Sequence, residues 1–306
     1  MDGAAHASVE QVGAIRPPAP LAAVVSCLRF REILVMQAPP LMGLALAAGA
    51  GTPRPYPTMA LFAAGSLLLV AFVWSLNDWA DMRADRSNPN RPASLLAAGQ
   101  VSGRSLLGLS LGMLAASLAV FAVLPGRTLL IAAAIAALGA AYSLSSIFVK
   151  GQPLVSSLLH FVGGILHFLL GYSVLSPLRA DALALAPFFA LVFMAGHATQ
   201  EIQDWSADRA NGIRTNAVAF GPVPVFACSC AAFAAAYAYF ALLAVHGLVP
   251  RILLWPVSIA GVLQAICSAA ALGSGLSFQS MHELRRQYRY LFAAIGACWV
   301  CARLLS

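Results

Sequence analysis

Asp78, Asp81 and Asp85 follow one another at intervals of three and four residues, and so do Glu201, Asp204 and Asp208. On a helix, at about 100° per residue, that interval places three carboxylates within roughly 60° of one another. Carboxylates so placed repel one another, and beside lipid their charge is costly. Hard divalent cations offset that cost, and carboxylate oxygens suit Mg²⁺. Mg²⁺ takes one or two carboxylates and completes its shell with water and phosphate oxygens, so two such faces opposed across a cavity form a clamp for a diphosphate. The alternative is a pair of solvated helix ends with local Asp–Arg pairs. Six of the eleven acidic residues stand in these two segments, which favours the metal reading.

The segments are also copies of each other. Aligned without gaps, 77–92 and 200–215 share six identities: Asp81/Asp204, Ala84/Ala207, Asp85/Asp208, Arg86/Arg209, Asn88/Asn211 and Arg91/Arg214. Asn77/Gln200 and Asp78/Glu201 keep their chemistry. The offset covers four helices, which points to a duplicated four-helix unit.

Helices must carry these acids, and composition says what surrounds the helices. Of 306 residues, 60% are hydrophobic and 9% charged, with a net charge of +7. A soluble domain carries about 25% charged residues, so most of this surface must face lipid, and no nucleic-acid partner is inferred from the basic excess. Apolar runs of roughly 20 residues fall at about 28–49, 57–77, 104–124, 127–145, 153–175, 183–203, 220–246, 250–273 and 286–305. The sequence therefore predicts an all-α, polytopic membrane protein of about nine spans. Pro39-Pro40 should kink the first. Residues 1–24 read as a disordered tail and 25–306 as a single transmembrane domain. Thirteen basic residues fall on the side of the N-terminus and five on the other, which makes the first side cytoplasmic. Ten of the eleven acids share it. Cys298 and Cys301 form a C-x-x-C pair inside the last apolar run, where cysteine packs as a small hydrophobe.

N-D-x-x-D-x-x-x-D at 77–85, N-x-R-P at 88–92, then D-x-x-x-D at 204–208 with N-G-I-R-T at 211–215, resembles the UbiA superfamily of intramembrane prenyltransferases. The resemblance runs from about residue 25 to the end. It implies a prenyl-synthase-like bundle opening sideways to lipid, and Mg²⁺-dependent transfer of an isoprenoid chain. It assigns Asn77, Asp78, Asp81 and Asp85 to the first motif and Asp204 and Asp208 to the second, with Glu201 standing where the family more often has Asp. The family's Tyr-x-x-Pro-Pro-x-Arg-x-Lys loop reads here Tyr142 to Lys150, with Ser145 and Ser146 for the prolines and Phe148 for the arginine. The asparagine that follows in the family is matched by Ser156 or Ser157.

Lys150 is the only lysine, and an ammonium at a helix end is a good phosphate ligand; the alternative is an interface anchor. Arg91 and Arg214 are further neutralising cations. Arg31 stands nine residues before Pro40, an interval the family uses for a substrate-side arginine, with Arg29 two positions earlier. His160 and His167 share a helix face beside Gly163-Gly164, where close glycine packing brings them to a cavity or leaves them structural. His197, four residues before Glu201, lies on the acid face. Tyr142 stabilises a cation, accepts a proton, or is a boundary aromatic. Phe161, Phe168, Phe188, Phe189 and Phe193 read as packing. The function expected is prenyl transfer from a prenyl diphosphate to a hydrophobic, aromatic or cyclic acceptor within a bacterial inner membrane, with the N-terminus and the acids cytoplasmic. The alternatives are a membrane terpene cyclase of the same superfamily, which needs no acceptor, and a transporter.

Overall fold

A computed structural model describes residues 25, 28–49, 55–86, 101–144 and 149–305, apart from the side chains of 83–86 and 303–305. The described residues are all-α. They form α1 (Phe30–Val35), α2 (Ala38–Ala48), α3 (Tyr56–Arg86), α4 (Gly103–Ala122), α5 (Gly126–Ser143) and α6 (Val155–Leu175). Then come α7 (Ala180–Gln203), α8 (Trp205–Ala210), α9 (Asn216–Phe220), α10 (Pro222–Val245), α11 (Leu254–Gly273) and α12 (Phe278–Leu305). Single 3₁₀ turns stand at Val149–Gly151 and Arg251–Leu253.

Seven of these helices, α3 to α7, α10 and α11, are long and apolar enough to cross a bilayer. The other two expected spans differ in form. The first, read as one kinked helix over 28–49, divides at Met36–Gln37 into α1 and α2. Pro39 and Pro40 fall in the first turn of α2, where their missing N–H groups have no helical carbonyl to lose. The last is the rear half of α12, whose front half carries Glu283, Arg285, Arg286 and Arg289. Large apolar side chains cover the outer faces, among them Leu130 at 72% and Trp255 at 73% exposure. Such a surface is stable in lipid and not in water. The chain is an integral membrane protein.

Two contacts between helix backbones set the interior. At the α2–α6 crossing, a Cβ on Gly171 would lie 1.7 Å from the Pro40 carbonyl oxygen, and one on Gly43 would lie 2.2 Å from that of Phe168. At the α6–α7 crossing, a Cβ on Gly164 would lie 2.6 Å from the Phe189 carbonyl oxygen. Small residues at such crossings are how membrane helices gain contact without a hydrophobic drive. Of the glycine pair at 163–164, only Gly164 is used; beside Gly163 there is open space.

The order α3, α4, α5 recurs as α7, α10, α11, and α3 packs along α4 as α7 packs along α10. Buried serines tie both pairs. Ser117 Oγ donates to the Gly65 carbonyl at 2.8 Å, and Ser229 Oγ to that of Ala195 at 2.9 Å. Phe168, Phe188 and Phe189 are fully buried, and the Phe168 and Phe189 rings stack at 4.4 Å. Cys298 and Cys301 are free and exposed on the outer side of α12.

Candidate active site

The first acidic segment lies on an unbroken helix, because α3 runs through to Arg86. Asp78 and Asp81 are buried, and each carboxylate is held by a cation from another part of the chain. Arg29, just before α1, gives Asp78 a two-pronged pair, Nη2 to Oδ1 at 2.5 Å and Nε to Oδ2 at 3.1 Å. The same guanidinium lies 5.2 Å over the Trp74 ring. Lys150 Nζ donates to both oxygens of Asp81, at 2.9 and 2.8 Å. Asn77 Nδ2 adds a bond to Asp81 Oδ2 at 3.1 Å. Of Asp85, only the helical backbone is described.

The second segment is broken. The sequence places Glu201, Asp204 and Asp208 on one face of one helix, yet α7 ends at Gln203. Asp204 (φ −91°, ψ 3°) caps it and leads into the short α8. The three acids consequently meet different surroundings. Glu201 is buried on α7, and neutral donors take its oxygens: Asn216 Nδ2 at 3.0 and 2.9 Å, and Ser156 Oγ at 3.2 Å. Asp208, on α8, is buried. Burial pushes its carboxyl up to about 7, a rise that Lys150 opposes and that Asp204, Asp81 and Glu201 reinforce. Burial pulls the Lys150 ammonium down, but the Asp81 and Asp208 carboxylates outweigh it, and the net shift is upward. Lys150 thus stands within electrostatic reach of acids from both segments.

This donor set fits a hard divalent cation. Two of its carboxylates already hold cationic side chains, and the carboxyl of Asp208 is held partly neutral by burial among other acids, a cost that a cation relieves. Among the described residues no three His, Cys, Asp or Glu side chains converge as a ready-made cage. Mg²⁺ does not need one, since phosphate oxygens and water complete its shell.

Other candidates fall out as follows. Arg29, not Arg31, reaches the acids; Arg31 lies 5.3 Å over the Tyr290 ring. Arg214 is exposed between α8 and α9. Arg91, Phe148, Ser145, Ser146 and the 1–24 tail lie outside the described residues. Tyr142 packs edge-on against His160 at 5.0 Å and His197 at 5.9 Å. The two imidazoles stack at 3.6 Å, a contact that the Gly164 crossing permits. His160 Nδ1 is 2.8 Å from the Ser156 carbonyl. His197 Nε2 stands 3.0 Å from Glu201 Oε1 but out of line for a hydrogen bond. His167 does not join them; it lies edge-on to Phe193.

Two residues were missed by the sequence reading. Asn216, at the start of α9, ties Glu201 to the entry of α6, accepting from the Leu154 N–H at 2.7 Å. Arg285 on α12 donates to Gln203 Oε1 at 2.6 Å and Gln200 Oε1 at 3.0 Å. An arginine ahead of an apolar run reads as a boundary charge, so only the two glutamines of the second segment, Gln200 and Gln203, could have pointed to it.

The sequence profile of the UbiA prenyltransferase family matches residues 38–294. The chain belongs to the UbiA prenyltransferase family. A curated relative, the digeranylgeranylglyceryl phosphate synthase of Halobacterium salinarum, is 32% identical over 179 residues, which cover 58% of this chain. The chain spans 62% of that relative's length. Solved structures share the fold. A UbiA homologue from Aeropyrum pernix K1 superposes with a TM-score of 0.68 at 23% identity, covering 88% of this chain and 97% of its own. A UbiA homologue from Archaeoglobus fulgidus, bound to DMAPP and Mg²⁺, superposes at 0.65 with 16% identity and the same coverage. In this UbiA family member the two acidic segments lie at one end of the bundle. Lys150 bonds the first of them, and Asn216 and Arg285 bond the second.

Proposed function

We propose that the protein transfers a prenyl group from a prenyl diphosphate to a hydrophobic, aromatic or cyclic acceptor within the membrane. One observation supports this reading: Lys150 is bonded to Asp81 of the first acidic segment and lies within electrostatic reach of Asp208 of the second. The Archaeoglobus fulgidus homologue's bound DMAPP and Mg²⁺ support it. In this reading Asp78, Asp81, Asp85, Asp204 and Asp208 hold Mg²⁺, which when bound supplies positive charge to the diphosphate and makes it a better leaving group. Glu201, with its oxygens taken by Asn216 and Ser156, joins α6, α7 and α9 beneath the cleft instead of facing a metal.

Lys150 moves its ammonium from Asp81 to the diphosphate oxygens, with Arg91 and Arg214 as further cations. Asn77 holds Asp81 in place. Arg29 pairs with Asp78, while Arg31 lies outside this set. The C1–O bond breaks, the diphosphate leaves with the electron pair, and an electron-rich carbon or oxygen of the acceptor bonds to C1 and gives up its proton to the released diphosphate. The edge of Tyr142 and the stacked imidazoles of His160 and His197 beside it keep bulk water from the allylic cation. The acids face the cytoplasm of a bacterial cell in this reading. The deciding experiment incubates purified protein with geranyl or geranylgeranyl diphosphate, Mg²⁺ and a membrane-lipid extract, and follows products by mass spectrometry. Prenylated lipid that forms only when extract is present supports transfer. Hydrocarbon or alcohol formed from the diphosphate alone identifies a cyclase, and uptake without turnover a carrier.

A further inference from the structure

Beside the break in the second acidic segment lies an open-sided cavity of about 970 Å³. Its walls come from either side of the break, from the first turn of α10 and from the turn that joins α11 to α12, and no acidic side chain lines it. Sites for small molecules run from about 300 to 1,000 Å³, so the space suits a ligand much larger than a single ion.

The polar part of this wall consists of donors. Both α10 and α12 begin here, and the first N–H groups of a helix have no carbonyl of their own to bond. Those of Val223, Phe278 and Gln279 belong to lining residues. Ser277 Oγ takes only the Ser280 N–H, at 3.3 Å, and α10 has no side-chain cap. Two helix N-termini thus bring partial positive charge to one cavity. Gln203 adds a donor of fixed orientation. It is 8% exposed, and its Oε1 accepts from Arg285 at 2.6 Å. A guanidinium can only donate, so the amide oxygen is committed to it and the NH₂ group is left without a protein partner at the cavity wall. A buried donor left open is uncommon in folded proteins and points to a ligand.

Charge at the rim has the same sense. The Arg209 guanidinium lies 5.6 Å over the ring of Trp205, which lines the cavity. Glu283, the one acid of α12, is taken by Arg286 at 2.6 Å. Asp204 acts on Lys150 and Asp208 and does not line the cavity. The remaining wall is apolar. Val223 and Leu272 are exposed and continue from the cavity onto the outer surface of α10 and α11, and Trp205 stands where the polar and apolar parts meet, as interfacial tryptophans do.

We propose that this cavity holds an anionic phospholipid of the surrounding leaflet. Its phosphate accepts from the Gln203 amide and the α12 N–H groups, and its acyl chains run out over Val223 and Leu272. Arg209 selects a head with net negative charge, because a zwitterionic head would bring a cation to a wall that has no acid.

The test is native mass spectrometry of the full-length protein, freed of co-purified lipid in detergent. It is titrated with dioleoyl phosphatidylglycerol or dioleoyl phosphatidylcholine, which share their chains and differ in net charge. One phosphatidylglycerol should bind per chain, at least about 10-fold more tightly than phosphatidylcholine. Gln279→Glu places a carboxylate at the cavity while suiting the start of α12, and it should remove that preference. Gln279→Lys should keep it. Ser206→Trp, at an exposed position on the wall, fills the space and should abolish the tight site. Equal binding of the two lipids, or a preference that survives both Gln279→Glu and Ser206→Trp, overturns the proposal; should Gln279→Glu not fold, Ser206→Trp decides it. Displacement of the lipid by inorganic phosphate at equal concentration, or a protein dimer that excludes the lipid, overturns it by naming another occupant.

Discussion

Lys150→Met keeps the side chain's length and removes its charge. In the ligand-free protein the ammonium makes contacts of 2.8 and 2.9 Å with Asp81, the two side chains being 15% and 11% exposed. Stripping one partner from a pair this buried leaves a carboxylate uncompensated, at a cost of about 3 kcal/mol of stability. During turnover the same ammonium serves the departing diphosphate. A hydrogen bond to a charged group is worth about 1.5–3 kcal/mol, so kcat/KM should fall roughly 10- to 150-fold. Charge on the leaving group grows toward the transition state, so ground-state affinity for the prenyl diphosphate should fall less than kcat/KM does. A second signature separates this role from that of a helix anchor. With Asp81 freed, Mg²⁺ gains a carboxylate, and the rise in Tm on adding Mg²⁺ should be larger in the variant than in the wild type. The assay is prenyl transfer per folded molecule, with melting followed by tryptophan fluorescence at matched Mg²⁺ concentrations. Unchanged kcat/KM, with an equal Mg²⁺ response, would show that Lys150 only anchors the chain and would remove it from the chemistry.

Asp81→Ala and Asp204→Ala should each lower kcat by at least about 100-fold, on the order of 2.7 kcal/mol, and EDTA should stop turnover in the wild type. A large loss in one variant with near-normal rates in the other refutes a two-sided clamp. Asn216→Ala should lower Tm by an amount worth about 1–3 kcal/mol, because Glu201 keeps its buried charge and loses its closest donor; an unchanged melting curve would refute the hub. Gly171→Ala should prevent stable assembly, since its Cβ would sit 1.7 Å from the Pro40 oxygen, whereas Gly163→Ala meets nothing within 4 Å and should be silent in expression and melting.

The helical spacing of the first acidic segment, the membrane fold and the lone lysine were legible because each rests on local sequence. Asp78 and Asp81 share a helix face by sequence interval alone, and Lys150 stood out as the chain's only lysine. What escaped depends on contacts between distant residues. Nothing near Arg29 distinguishes it from Arg31; the choice is made by where α1 meets α3. Arg285 reaches Gln203 across 82 residues of chain, and Asn216 reaches Ser156 across 60. The glycine pair at 163–164 was readable as a crossing, but which of the two is used depends on how α7 is rotated. The break at Asp204 was hidden because Gln203-Asp204-Trp205 contains no proline or glycine.

That break sets the two copies on different evolutionary footings. A duplication yields interchangeable halves, and a chimera exchanging residues 77–86 with 200–209 would test whether they remain so. In the first half every position from Asn77 to Arg86 must accept a continuous helical register. In the second, residues past Gln203 form a cap and a short turn held by their contacts, so side chains there can change without bending a long helix. Substrate preference among descendants of such a chain is accordingly most open to drift between Trp205 and Thr215, at positions other than Asp208, while the unbroken copy fixes a longer run of helical geometry.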